Sequence, residues 1–200
     1  MNILDLDAAA VAASVDVVNR VDHAQLDRPT PCGEWDLRAL LAHMTVQHHG
    51  FAAAAEGRGG DPSEWVLPVE PSIDPVAVYR RAAARVTDAF ACTDLDDGRF
   101  ELHEFGVDAV FPATTAIGFH FIDYVIHAWD VGAAIGVDVA PSAELLPTAL
   151  AITARVPTGD ARTRPGAPFG PVVTDPPAED GSWEQMLLML GRSPLWRPGD

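Results

Sequence analysis

The sequence predicts a mainly all-α protein built as a four-helix bundle, on three observations. Apolar residues recur near the 3.6-residue helical period through four long segments. Breaks rich in Gly and Pro separate those segments and leave only modest loops. The chain has 200 residues, 48% of them hydrophobic, enough to bury one sizeable core without disulfides or a structural metal.

The first helix is expected over 5–22, with Leu6, Ala10, Ala13, Val17, Val18 and Val21 on one stripe. LDRPTPCGEWD follows, and its two prolines and glycine make it a loop. Asp36 then caps a second helix over 36–56, which stops at Gly57 or Gly59. A Gly- and Pro-rich connection over 57–75 leads to a third helix over 75–91, striped by Val76, Tyr79, Ala83, Val86 and Phe90. Arg80, Arg81 and Arg85 lie off that stripe and read as its solvated face. Arg99–Phe105 and Val107–Phe111 alternate apolar with polar around Gly106, as a short hairpin would. The fourth helix spans 114–136, beginning at Thr114 or Thr115 and closing at Gly136. A fifth element over 142–155 carries Leu145, Leu146, Ala149, Leu150 and Ile152. Residues 157–180 are Pro-rich and irregular, and a last short helix starts at Ser182 with Glu184 and Gln185 in its first turn. The domain reading is a helix bundle over 1–156 with an irregular C-terminal extension, 157–200, packed on it.

Charge and motifs narrow the function. Thirteen basic residues, every one Arg, face 29 acidic residues for a net charge of −16, which repels phosphate backbones and argues against nucleic acid. No run approaches the roughly 18 apolar residues of a membrane span, and the acidic N-terminus lacks the basic start of a signal peptide. Cys32 and Cys92 form no CxxC pair and no disulfide framework, so reduced thiols and a cytoplasmic setting are expected. GRGGD at 57–61 lacks the Lys of a phosphate loop, and no G-x-S-x-G elbow occurs. The expected partner is a small-molecule substrate, with a homodimer left open.

The strongest chemical signal is Asp123 and His127 in the fourth helix, at i and i+4 and so about 6 Å apart along one face. That spacing lets a carboxylate and an imidazole bind one divalent ion from adjacent turns. The plainer alternative is that the two hydrogen-bond each other or face solvent. His120, one turn earlier, is expected on the same side. His43, among Leu40, Leu41 and Val46 of the second helix, reads either as a core histidine or as a third ligand. Facing helices lie about 8–10 Å apart, so His43 can reach the pair. Two histidines and a carboxylate leave a zinc-like ion one or more open positions, as a catalytic site requires. His48 and His49 lie about 140° and 120° around the helix from His43 and read as surface or helix-end residues. Cys32 reads as an inert thiol, because no histidine stands beside it in sequence.

TPCGEWDLRALLAHM at 30–44, DYVIHAWDVGAAIG at 123–136 and the tail FGPVV…MLLMLGRSPLW at 169–196 resemble the DinB-like, metal-binding domain of the mycothiol-dependent maleylpyruvate isomerase type. The tail resembles the ending of a bacterial subfamily of stand-alone proteins near this length. The resemblance implies a DinB-like four-helix bundle holding a divalent metal, zinc or nickel, on His43, Asp123 and His127. It also implies mycothiol as the thiol co-substrate. The isomerase has Glu where this chain has Asp123, one methylene shorter. Residues 157–200 are too short and Pro-rich to be the isomerase's separate C-terminal domain, so the isomerase reaction itself is not carried over. Trp129 reads as a core anchor. Asp130 reads as an acceptor that orients a ligand imidazole from behind, His43 in preference to its own helix neighbour, or as a surface salt bridge.

The leading functional reading is a small metal-dependent enzyme using mycothiol in a transfer or isomerisation. The alternatives are a metal-dependent hydrolase and a non-catalytic binder of small molecules or metal. In the leading reading the metal, not the acidic protein field, supplies the local positive charge. The arginines look too scattered to name a second anion clamp.

Overall fold

Four of the six described α-helices begin where a short polar side chain, Asn2, Asp36, Asp74 or Ser182, satisfies an otherwise unpaired N–H group of the first turn. In the computed structural model, which describes residues 1–33, 35–67, 74–164 and 167–198, α1 covers Ile3–Val18. It starts earlier than 5 because Asn2 and Asp5 form a reciprocal capping box: Asn2 Oδ1 accepts from the Asp5 N–H at 2.9 Å and Asp5 Oδ2 from the Asn2 N–H at 3.2 Å. It also ends before 22, and the chain turns through a 3-10 segment at His23–Gln25. α2 covers Leu37–Ala55, capped by Asp36 through the Ala39 N–H at 2.8 Å. α3 covers Pro75–Ala91, with Asp74 as cap and Pro75 in the first turn, where its missing N–H costs nothing. α4 covers Ala113–Ile135 and stops at Gly136, whose φ of 77° is the left-handed cap that glycine reaches without strain.

These four helices make the bundle. α1 packs mainly on α4 and α2 mainly on α3, with α2 also facing α4. Val18, Leu37, Leu41, Met44, Tyr79, Phe121, Ile126 and Val131 fill the space between them, all buried. Trp129 packs half-buried against that core. A second cluster around Phe51, Val86, Phe90 and Ile117 receives Phe100 from the hairpin. The hairpin pairs β1 (Arg99–Glu101) with β2 (Val110–Pro112), antiparallel, with Phe100 opposite Phe111. Its strands are shorter than expected, and the intervening residues, centred on a 3-10 turn at His103–Phe105, form a wide loop rather than a tight turn at Gly106.

α5 covers only Leu146–Thr153, with Pro147 in its first turn, and so falls short of 142–155. α6 covers Trp183–Met189, capped by Ser182. The segment between them is irregular where described apart from a 3-10 turn at Gly159–Arg162; 68–73 of the earlier connection and 165–166 here lie outside the described residues. Met186, Leu187 and Leu190 enter the same hydrophobic core as α1, α2 and α4. Arg162 ties the returning chain together through the carbonyls of Pro157, Gly170 (2.9 Å) and Met189 (3.2 Å). Among the described residues no helix is long and apolar enough to cross a membrane.

Candidate metal centre

Packing α2 against α4 brings His43 to Asp123 and His127. His127 Nε2 lies 3.2 Å from Asp123 Oδ1, and His43 Nε2 lies 4.0 Å from Asp123 Oδ2. One ligand atom from each residue falls within 4.8 Å of the others, and the two imidazole rings meet edge to face at 5.2 Å. The His127 side chain is 5% exposed, whereas His43 and Asp123 keep 28% and 21%, so the group opens to solvent on one side. Trp35 stacks over His43 at 4.7 Å between ring centroids. One turn along α2 from His43, Gln47 donates to Glu104 Oε2 at 2.8 Å.

His127 is held at both ring nitrogens. Its Nδ1 lies 2.9 Å from Asp130 Oδ2, three residues along the same helix. The carboxylate can only accept, so Nδ1 carries the proton, and Nε2 is the atom turned toward Asp123 and His43. Asp130 is completely buried and would be costly alone, but Arg192 lies against it. Arg192 Nη2 donates to Asp130 Oδ2 at 3.1 Å and to Cys32 Sγ at 3.2 Å, and Nε approaches Oδ1 at 3.4 Å. The Cys32 thiol donates to Asp130 Oδ2 at 2.9 Å and stands 3.7 Å from His127 Nδ1.

Cys32, His127 and Asp130 also bring ligand-type atoms within 4.8 Å of one another. Arg192 already supplies the positive charge there and His127 Nδ1 is taken by Asp130, so this second group suits a cation poorly. His43, Asp123 and His127 are the better donor set: two imidazoles and one carboxylate, partly open to solvent.

The protonation states follow from these contacts. Burial, aided by His127 and Arg192, pushes His43 down to about 4 against the pull of Asp123, so its imidazole is neutral near pH 7. Burial also acts to lower His127, but Asp123, Cys32 and the hydrogen bonds to Asp123 and Asp130 outweigh it and hold the ring well above its ordinary value. Burial disfavours the Asp130 anion, yet Arg192 and His127 keep that carboxyl well below the usual range. Burial, with Asp130 adding to it, pushes the Cys32 thiol up. Glu104 is an exposed residue whose carboxyl is crowded on the Gln47 side. That desolvation, reinforced by Asp123, raises it to about 7 against the lowering effect of the Gln47 bond.

Several expectations are corrected. His120 does not share the face of Asp123 and His127: its Nδ1 lies 2.7 Å from Asp7 Oδ1 and its Nε2 3.1 Å from His48 Nδ1, all buried between α1, α2 and α4. Its three-residue step from Asp123 turns it about 60° around the helix, and its seven-residue step from His127 sets it two turns along the axis, where α1 supplies Asp7. His48 is not a surface residue but fully buried, stacked on Tyr124 at 3.9 Å. Arg85 is no free solvated charge, for it bonds Glu56 at 2.9 Å and His49 at 3.1 Å. Asp130 pairs with its own neighbour His127, not with His43. Cys32 does have a histidine and an arginine beside it, and Arg192 converges on the centre. The sequence signal for Arg192 is a lone charge straight after the apolar run MLLML and a glycine, where burial demands an acidic partner.

Residues 8–132 match the family model described as the mycothiol maleylpyruvate isomerase N-terminal domain. Two curated relatives, uncharacterized proteins of Mycobacterium tuberculosis strains CDC 1551 / Oshkosh and ATCC 25618 / H37Rv, are each 31% identical over 176 residues. Each alignment covers 84% of this chain and 86% of the relative. Among solved structures, the mycothiol-dependent maleylpyruvate isomerase superposes with a TM-score of 0.57 at 17% identity, and a single-site mutant of it with 0.57 at 16%. Each superposition covers 76% of this chain and 66% of the isomerase chain, a likeness of fold. With the family match extending from α1 through most of α4, where all three candidate ligands lie, this chain belongs to the mycothiol maleylpyruvate isomerase N-terminal domain family.

Proposed function

We propose that this protein is a metal-dependent enzyme that uses a thiol co-substrate, mycothiol, in a transfer or isomerisation on a small molecule. The observation that carries the reading is the convergence of His43, Asp123 and His127 at a half-open face of the bundle, in a chain of this family. The donor set suits zinc, with nickel the alternative. When bound, such an ion would lower the pKa of a coordinated thiol or water and so make an anionic nucleophile available at neutral pH.

The chain's own residues prepare the site for that role. His43 is neutral near pH 7 and offers Nε2 as a lone pair. Asp130 holds the proton of His127 at Nδ1, so the Nε2 proton shared with Asp123 is the one an arriving cation would displace. With a divalent ion, two neutral imidazoles and one carboxylate sum to a charge near +1, a local attraction for an anionic sulfur or oxygen inside a chain of −16. Trp35 flanks one side of His43 and offers an apolar wall. Glu104, raised to about 7, is the carboxyl near the trio that exchanges a proton most readily at neutral pH.

The test is to load the purified protein with zinc and add mycothiol together with a panel of small electrophiles, maleylpyruvate among them. Mass spectrometry and chromatography then follow conjugates and isomerised products. Turnover that needs both metal and thiol supports the reading. Products that form without thiol replace it with a hydrolase, and a tightly bound ligand that is never turned over replaces it with a non-catalytic binder.

A further inference from the structure

Arg192 comes from beyond the family-matched stretch, 8–132, and is only 6% exposed. It follows α6 and Gly191, whose φ of 78° turns the chain back toward α4. Its Nη1 is anchored on the Leu190 carbonyl at 2.8 Å, which leaves Nε and Nη2 for the two oxygens of Asp130. Phe169 lies beneath the guanidinium at 5.8 Å and beneath that of Arg162 at 5.6 Å, so the returning segment forms a stacked platform. Asp130 Oδ2 accepts from three donors: His127 Nδ1 at 2.9 Å, Cys32 Sγ at 2.9 Å and Arg192 Nη2 at 3.1 Å.

We propose that Arg192 is a positioning residue of the metal centre: with Cys32 it clamps the Asp130 carboxylate against His127 Nδ1 and so turns His127 Nε2 toward His43 and Asp123. The inference rests on the reading of that trio as a metal centre. Its logic is geometric. The Asp130 carboxylate accepts from His127 Nδ1 only while it lies in line with that ring edge, and Arg192 Nη2 and Cys32 Sγ hold it there through Oδ2, with Arg192 Nε on Oδ1. Without Arg192 the carboxylate keeps only His127 and Cys32 and can swing out of line, and the ring loses the stop that aims Nε2 at His43 and Asp123. Two donors on Asp130 besides His127 also restrict its rotation, so the ring plane is set from outside the metal site. The C-terminal segment is thereby part of the centre and not merely a cover on the bundle.

The test uses the full chain with zinc and cobalt. Affinity is read by competition with a chromophoric chelator, coordination by the cobalt ligand-field spectrum, and folding by circular dichroism. Arg192→Leu is expected to lose about 10- to 100-fold in metal affinity and to change the cobalt spectrum, while Arg192→Lys recovers much of both. Because Arg192→Leu leaves a buried, uncompensated Asp130, the double variant Arg192→Leu/Asp130→Asn is made beside Asp130→Asn alone. The two should lose affinity equally, since Arg192 acts through Asp130. Wild-type affinity and spectrum in a folded Arg192→Leu, or additive losses in the double variant, overturn the proposal. A wild-type protein that binds no metal instead overturns the reading of the trio, and the two failures are told apart by that measurement.

Discussion

Asp123 and Asp130 grip the same imidazole from opposite edges: His127 Nε2 lies 3.2 Å from the first and Nδ1 2.9 Å from the second. Spacings of four and three residues along α4 put both carboxylates within reach of one ring. Only Asp130 is sealed from solvent, and only Asp130 meets an arginine. The two carboxylates therefore have different settings, Asp123 on the open side where the proposed metal would sit and Asp130 as the fixed acceptor behind.

Replacing either imidazole tests the ligand set. His43→Ala and His127→Ala are each expected to abolish stoichiometric zinc while leaving the helical circular dichroism close to wild type, because both rings lie at the edge of the core. Elemental analysis of the purified variants gives the answer. Unchanged metal content in both would remove these residues from the centre.

Asp123 distinguishes charge from length. Asp123→Asn leaves the geometry but removes the only anionic donor, and metal affinity should fall at least tenfold. Asp123→Glu restores the charge on a chain one methylene longer and should be milder. Chelator competition on the three proteins measures both effects. Equal affinities would mean that Asp123 is not a ligand; His120 could not replace it, being committed to Asp7 and His48.

The buried Asp7–His120 contact predicts a pH-dependent stability. Burial raises the Asp7 carboxyl above its ordinary value, with His120 only partly offsetting this. A carboxyl raised in the folded state contributes stability that is complete below its unfolded value of about 3.9 and is lost as pH climbs through the folded value. Asp7→Asn keeps an acceptor for His120 and should flatten that decline above about pH 4. Asp7→Leu leaves the His120 donor without its partner and should cost about 1–3 kcal/mol. Urea unfolding at several pH values checks both. Parallel pH curves for wild type and Asp7→Asn would contradict the assignment.

The two thiols should separate by reactivity. Both are free, but Cys92 is exposed, whereas Cys32 is half-buried, pushed up by burial and engaged with Asp130. Alkylation near pH 7 should therefore label Cys92 first and Cys32 several-fold more slowly, read by peptide mass spectrometry. In Asp130→Asn the gap should narrow, since the thiol then loses its anionic acceptor and the anion that disfavours its thiolate. Faster labelling of Cys32 in the wild type would show that its contacts do not restrain it.

What the sequence by itself determined is what repeats at short range. The stripes of the four long segments and the caps Asp36 and Gly136 mark the helices, because periodicity and the unpaired groups of a helix end act within a few residues. The pairing of Asp123 with His127 was legible for the same reason, as both lie on one face of one helix. Tertiary structure decided the rest. Whether a histidine meets a ligand, a carboxylate or solvent depends on which neighbouring helix covers its side of the cylinder, so the exit of His120 to Asp7 on α1 and the burial of His48 against Tyr124 escaped any count along the chain. Arg192 is the furthest case. It stands 62 residues from Asp130 and 160 from Cys32, and only the return of the C-terminal segment across the bundle lets one buried charge answer another. Long-range electrostatic pairing leaves no period in a sequence, because its cost and its compensation are written on segments that meet only when the core closes.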